Sequence, residues 1–260
     1  AMITGDVLPV SAFRPGGRYE TNTSRFEKRG MAATVPVWNK DTCTQCNQCA
    51  SICPHAVIRP FLLDAAESKK APASFATLPA AGDELKGLNF RIQMSPLDCT
   101  GCEVCANVCP TQSLTMKPLS AVRDVEAKNW EFAMTLTNKG HLVDKTTVKG
   151  LAFQPPMLEF NGACAGCGEM TIVKMLTQLY GDRIMFADAM GCTMVSLGGT
   201  GVVPFTRNQR GHGPTWGCSL FEDNADYGYG MYKSQVVRRN KLTAYVEQAL
   251  ASSAPMSQEL

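Results

Sequence analysis

The chain has 260 residues, 45% of them hydrophobic, enough to bury a sizeable core in one or two domains. Its 25 basic and 23 acidic residues leave a net charge of +2, which gives no field to hold nucleic acid or an anionic membrane surface. No apolar run approaches the roughly 18 residues of a membrane helix, and the first residues lack the basic and apolar stretches of a secretion leader. We therefore expect a soluble, cytoplasmic protein with neither nucleic acid nor membrane among its partners.

In chain order, residues 1–38 read as an extended arm or linker, with Gly16-Gly17 and one β-prone stretch at 33–37. Between 39 and 118 two cysteine runs repeat, flanked by β-prone pieces at 56–58, 90–94 and 113–116, with the cysteines in turns and short helices. A segment at 64–87, rich in Ala, Lys, Pro and Ser, reads as an inserted surface loop. Residues 119–156 read as a polar linker, closed by Gln154-Pro155-Pro156 as a rigid boundary. From 157 to 260 an α/β layer begins. A helix is predicted at 169–180 (Ile172, Met175, Leu176, Leu179), a strand at 183–187, Gly-rich turns at 191–230 and a helix at 232–251. The expected fold is an α+β, ferredoxin-like two-cluster domain followed by part of an α/β domain.

Twelve cysteines narrow the field further, because ten of them fall in C-x-x-C arrangements or extensions of these. With no secretion leader, that points to metal binding in a reducing cytoplasm rather than to disulfides. The first run reads Cys43-Thr-Gln-Cys46-Asn-Gln-Cys49-Ala-Ser-Ile-Cys53-Pro54, and the second reads Cys99-Thr-Gly-Cys102-Glu-Val-Cys105-Ala-Asn-Val-Cys109-Pro110. Three thiolates so closely spaced can wrap three corners of a 4Fe-4S cubane, while the fourth, turned away before proline, ligates the other cluster. One cluster is thus expected on Cys43, Cys46, Cys49 and Cys109, and another on Cys99, Cys102, Cys105 and Cys53. Structural zinc is the alternative, but a closed tetrahedron gives no reason for a doubled run ending in Cys-Pro. Electron relay is the function such a pair of clusters implies, since a purely structural role would not need the second one.

A third motif, Asn161-Gly-Ala-Cys164-Ala-Gly-Cys167-Gly-Glu169, is followed by Met190-Gly191-Cys192. By spacing alone it suits a cluster, zinc or thiol redox chemistry equally. Several stretches together resemble pyruvate:ferredoxin (flavodoxin) oxidoreductase: Leu8-Pro-Val-Ser-Ala-Phe13, Glu27-Lys28-Arg29, Pro36-Val37-Trp38, Cys53-Pro54-His55-Ala56 with Ile58-Arg59-Pro60, Gly162 to Glu169, Gly211-His212-Gly213-Pro214, and Ser219-Leu-Phe-Glu-Asp-Asn-Ala225.

The resemblance is to an internal segment of that family, which uses thiamine diphosphate and Mg²⁺ to convert pyruvate and coenzyme A to acetyl-CoA and CO₂. The electrons pass one at a time through three 4Fe-4S clusters to ferredoxin or flavodoxin. It implies that Cys164, Cys167 and Cys192 hold a third cluster whose fourth ligand lies outside this chain. It also implies that Glu169 and Cys192 line the thiamine site, and that 157–260 is the beginning of the thiamine-diphosphate-binding domain. Glu169 reads equally well as a carboxylate favoured at a helix N-terminus.

Cys218 reads as a buried, unreactive cysteine, with a role as fourth ligand the lesser alternative. His55, His141 and His212 share no motif and read as structural or surface residues. Gly181-Asp182 is followed by Arg183, so the Gly-Asp-Gly start of a thiamine-diphosphate motif is not found, and this chain alone is not expected to decarboxylate pyruvate. The implied partners are ferredoxin or flavodoxin, the remaining parts of the parent enzyme, and a second copy in a homodimer. A stand-alone ferredoxin-like carrier is the competing reading, and the α/β layer after Met157 argues against it.

Overall fold

The computed structural model describes residues 5–13, 15–16, 20–199 and 201–252; Gly17 and the ends of the first and last segments (1–4, 253–260) lie outside them. The first cysteine run lies between β1 (Thr34–Trp38) and β2 (Ile58–Leu63), with α1 (Gln48–Ile52) inside it. After α2 (Ala65–Lys70) and β3 (Leu78–Pro79), the second run lies between β4 (Asn89–Met94) and β5 (Leu114–Pro118), with α3 (Val104–Asn107) inside it. Then follow α4 (Leu119–Ala133), α5 (Val148–Ala152), α6 (Gly168–Tyr180), β6 (Met185–Ala189), α7 (Cys192–Met194), β7 (Thr215–Ser219) and α8 (Asn224–Ala251). The fold is mixed α and β, with small sheets.

The sequence repeat becomes a structural one. Gln45 and Gly101 take left-handed backbone angles at equivalent places in the two runs (φ 57° and 70°), as do Asn47 and Glu103 (61° and 63°) and Ala56 and Gln112 (54° and 51°). Each run therefore coils the same way. β1 pairs antiparallel with β5, Trp38 facing Leu114, and β2 pairs antiparallel with β4, Ile58 facing Met94. The ladders join the start of one run to the end of the other. Pro60 has no N–H to give, and it sits on β2 at the edge of the β2-β4-β3 sheet, where none is required. Leucine, phenylalanine, isoleucine and methionine side chains of these strands (Ile58, Leu62, Phe90, Ile92, Met94, Leu114) face one core with Val35, Trp130, Phe153 and Phe160.

Three expectations are corrected here. The 119–156 stretch is no bare linker: α4 contributes buried Trp130, which packs edge-on against Phe61 and Phe160 at ring distances of 6.1 and 6.2 Å. Its buried face is narrow (Asn129, Trp130, Ala133) among exposed charges, so average polarity hid it. The 64–87 insertion likewise folds onto the domain. Asp64 and Glu67 form a capping box on α2, β3 adds a third strand to β4, and Phe75 and Leu85 are buried. In the arm, Asn22 and Thr23 donate backbone N–H groups to Phe205 and Val203 at 2.7 and 3.0 Å, so this segment is docked.

A second, smaller core gathers Leu158, Met170, Val173, Leu197 and Phe205. Leu158 enters this core while Phe160, two residues on, enters the first, so the chain is shared between cores just past Pro155-Pro156. Helix α6 covers the predicted span, and β6 starts two residues later than predicted. β7, hidden in the Gly-rich stretch, runs parallel to β6 with Asp188 opposite Cys218. α8 starts ahead of the predicted span and has no buried residue; Val237, Leu242, Val246 and Leu250 all face outward. Among the described residues no helix is long and apolar enough to cross a membrane.

Candidate metal centres

The β ladders decide which cysteines meet. Next to the Trp38–Leu114 pair, Asn39 N–H donates to Ser113 O at 2.8 Å and Thr42 Oγ1 donates to Ser113 Oγ at 3.0 Å, which lays Cys109 beside Cys43. Next to the Ile58–Met94 pair, Ser95 N–H donates to Val57 O at 2.8 Å and brings Cys53 to Cys99. Cys43, Cys46, Cys49 and Cys109 line one small cavity with Trp38, Ile92 and Leu114. Cys53, Cys99, Cys102 and Cys105 line another with Pro36, Val57 and Met116.

Electrostatics follows this grouping except at Cys105, on which Cys49 of the first cavity also acts. Burial, and then Cys43 and Cys46, push the Cys49 thiol up to about 12, with Cys109 adding to the effect. Burial also pushes Cys99 up to about 12, opposed by the Gly101 N–H and reinforced by Cys53 and Cys102. Cys105 is raised by burial and by Cys53 and Cys99. Sulfurs this buried and this close to one another keep their protons unless a cation compensates them, which is the condition a metal group meets. Backbone donors are already aimed at the sulfurs: Gln45 N–H reaches Cys43 Sγ at 3.4 Å, Gly101 N–H reaches Cys99 Sγ at 3.4 Å, and Ser113 N–H reaches Cys109 Sγ at 3.2 Å. Burial raises Cys109, yet the N–H groups of Ser113 and Thr111 outweigh it and hold this thiol below its usual range.

Gly101 is the glycine of the second run, and a side chain there would be tight and strained. Its φ is 70°, and a β-carbon there would lie 3.1 Å from Thr34 O and 3.2 Å from Ala32 Cβ. Gln45, its counterpart, extends away from its run to Pro79 O and Ala81 N–H, both at 2.8 Å. Gly101→Ala should cost about 1–2 kcal/mol and loosen the N–H donation to Cys99. Urea denaturation of the cluster-loaded protein measures the first, and a more negative potential of the second-run cluster measures the second. Unchanged values for both would refute the assignment.

The third set sits on the second run. A β-carbon on Gly166, between Cys164 and Cys167, would lie 3.3 Å from Val104 Cγ2 and 3.6 Å from Cys102 Cβ. The same segment is tied to the end of the first run: His55 Nδ1 lies 3.2 Å from Asn161 O, Asn161 Nδ2 donates to Pro54 O at 2.8 Å, and Thr171 Oγ1 donates to Ile52 O at 2.9 Å. Cys164 and Cys192 are exposed and Cys167 is half-buried. Thr193, next to Cys192, donates to the exposed Glu169 carboxylate, so the two segments that carry the three cysteines meet.

Cys218, expected to be buried, is exposed on β7, which pairs with β6, and its thiol faces Ser219 O at 3.3 Å. His141 and His212 are exposed. His55 is buried and lines the second cavity, and its Nε2 has no hydrogen-bond partner among the described residues. Sequence reasoning did not single out buried Lys174, or Asp188, whose carboxyl is pushed up to about 6 by burial and by Glu169; His55, read as structural or surface, is buried. Only the Cys-Pro-His spacing offered a signal, and only for His55.

A 4Fe-4S dicluster domain matches residues 42–113, and a domain of unknown function matches residues 2–32. The chain is 49% identical to pyruvate:ferredoxin oxidoreductase of Moorella thermoacetica, over 98% of its own length and 22% of that protein. It is 48% identical to pyruvate-flavodoxin oxidoreductase of Enterobacter agglomerans, over 98% and 22%. With a mitochondrial pyruvate dehydrogenase (NADP+) of Euglena gracilis it shares 47% identity, over 95% and 14%. It thus spans about a fifth or less of the length of these relatives. Across nearly all its residues, this chain is the homologue of a segment of the pyruvate:ferredoxin and pyruvate-flavodoxin oxidoreductases, built around a 4Fe-4S dicluster domain.

Proposed function

We propose that this chain is the electron-relay segment of a pyruvate:ferredoxin (flavodoxin) oxidoreductase, with one 4Fe-4S cluster on Cys43, Cys46, Cys49 and Cys109 and another on Cys99, Cys102, Cys105 and Cys53. The observation that carries this reading is the crossed gathering of Cys109 and Cys53 into the opposite run's cavity. When bound, such clusters take and give single electrons with little rearrangement. The residues of the chain hold and insulate them: apolar Trp38, Ile92 and Leu114 wall the first cavity, and the backbone N–H groups at Gln45, Gly101 and Ser113 stabilise negative charge on sulfur.

Cys164, Cys167 and Cys192 hold a third cluster, completed by a ligand outside this chain, with Glu169 and Cys192 lining a thiamine diphosphate site in the complete enzyme. Packing of Gly166 on Cys102 supports an order of relay from this third site to the second run and then to the first. The Cys43 side is then the outer end, where ferredoxin or flavodoxin docks. Similarity at the same level to an NADP+ enzyme supports a relay whose final acceptor is chosen by parts beyond this segment. A stand-alone carrier is less well supported, because Thr171 and Asn161 tie the second core to the first by side-chain bonds that a free ferredoxin would not need.

An iron and sulfide count with low-temperature electron paramagnetic resonance on the reduced protein tests this reading. About eight irons per chain mean two clusters and about twelve mean three. An anaerobically prepared, folded protein without iron would refute it.

A further inference from the structure

Lys174 lies in the middle of α6 and is 2% exposed, deeper than any other lysine among the described residues. Its ammonium donates to Ala50 O at 2.6 Å and to Ser51 O at 2.8 Å. Those carbonyls belong to α1, between Cys49 of the first set and Cys53 of the second. A buried ammonium with only neutral carbonyls around it is costly, since carbonyl dipoles replace water incompletely and do not neutralise the charge. No ion pair found among the described residues includes Lys174. The charged groups acting on it are Cys53, Arg59 and Cys49; Arg59 has the same sign and is itself paired with Glu159. Burial lowers the ammonium to about 8, which leaves it protonated at neutral pH.

A charge so placed calls for an anion on either side of the 49–53 segment. A cubane held by four thiolates is a net anion, and it becomes more negative when it accepts an electron. Resting on the cluster assignment above, we infer that Lys174 is a shared counter-charge, held between Cys49 and Cys53, that stabilises the reduced form of both clusters and so raises both reduction potentials. Its place on α6, the helix that starts after Cys167, means that the third motif's element supplies this charge to the other two sites. Lys174 is a positioning residue: it acts through the field it sets and through the α1 carbonyls, and touches no reacting atom.

The competing explanation is that Lys174 only ties α6 to α1. Redox titrations followed by electron paramagnetic resonance separate the two, on cluster-loaded protein carrying Lys174→Gln or Lys174→Arg. Gln keeps a donor for the carbonyls and removes the charge, whereas Arg keeps both. In Lys174→Gln the midpoint potentials of the first-run and second-run clusters should both move to more negative values. At a fixed potential near the midpoint, the reduced-to-oxidised ratio should fall about tenfold, which is about 59 mV for a one-electron couple. Lys174→Arg should stay near the parent.

Potentials in Lys174→Gln equal to those of the parent would overturn the inference, and a shift at one site alone would overturn the sharing. Because resonance detects only loaded clusters, the comparison stands even if Lys174→Gln holds less iron. A parent protein with no cluster signal would instead refute the cluster assignment, so the two failures are distinct.

Discussion

Cys109→Ala should abolish the cluster of the first run and leave that of its own run in place. The reason is the β1–β5 ladder, which sets Cys109 against Cys43, Cys46 and Cys49, while Cys99, Cys102 and Cys105 close around Cys53. Iron should fall by about four per chain, and the low-temperature resonance signal of the reduced first-run cluster should disappear. Cys53→Ala should do the reverse, removing the cluster of the second run. Each loss also removes a cross-link between ladders, so the apo half should lose rigidity as well as colour. Cys218→Ala is the internal control, since this exposed thiol lies on β7 and should leave the iron content as it was. If each substitution disturbed only the cluster of its own run, the crossed arrangement would be wrong.

The second large effect concerns stability. Arg59 and Glu159 form an ion pair with side chains 13% and 7% exposed. Arg59 Nε donates to Ala56 O at 2.7 Å, and its guanidinium lies 5.1 Å from the centre of the Trp130 ring and 5.6 Å from that of Phe160. The pair thus sits where β2, α4 and the segment after Pro156 come together. Glu159→Ala leaves the guanidinium buried without its anion and should cost about 3–5 kcal/mol. In urea, where the free energy falls by about 1–3 kcal/mol per molar, that is a drop in midpoint of about 1 M or more. Replacing both partners by apolar residues of similar size, as in Arg59→Met with Glu159→Leu, should restore much of the loss, because no charge is then stranded. A cost for Glu159→Ala of under about 0.5 kcal/mol, the range of surface substitutions, would show that water reaches the guanidinium.

What could be read before folding follows from local rules. The two cysteine runs carry their coiling in residue spacing and in the proline after each fourth cysteine, so a crossed grouping could be expected without coordinates. β1, β4 and β5 were legible because each is a short β-prone stretch beside a run, and α6 because its apolar residues recur at helical spacing. β2 was met only at its first residue, Ile58, since Arg59 and Pro60 interrupt the apolar pattern of a strand that runs on to Leu63. α4 and the 64–87 segment were misread for a shared reason. Each meets the core through a few residues, Trp130 and Ala133 in one and Phe75 and Leu85 in the other, diluted among polar neighbours.

The sequence by itself marked the two repeated four-cysteine runs and, through their spacing and the proline after each, suited them to 4Fe-4S chemistry, while the spacing of the Cys164-Cys167 motif left cluster, zinc and thiol redox chemistry open. Only the tertiary structure decided what surrounds those sites. The placing of Lys174 against the Ala50 and Ser51 carbonyls, the pairing of Arg59 with Glu159 and the seating of Gly166 on Cys102 join residues far apart in the chain. Such contacts exist only once two cores have closed on each other, and burial then sets the strength of every charge between them.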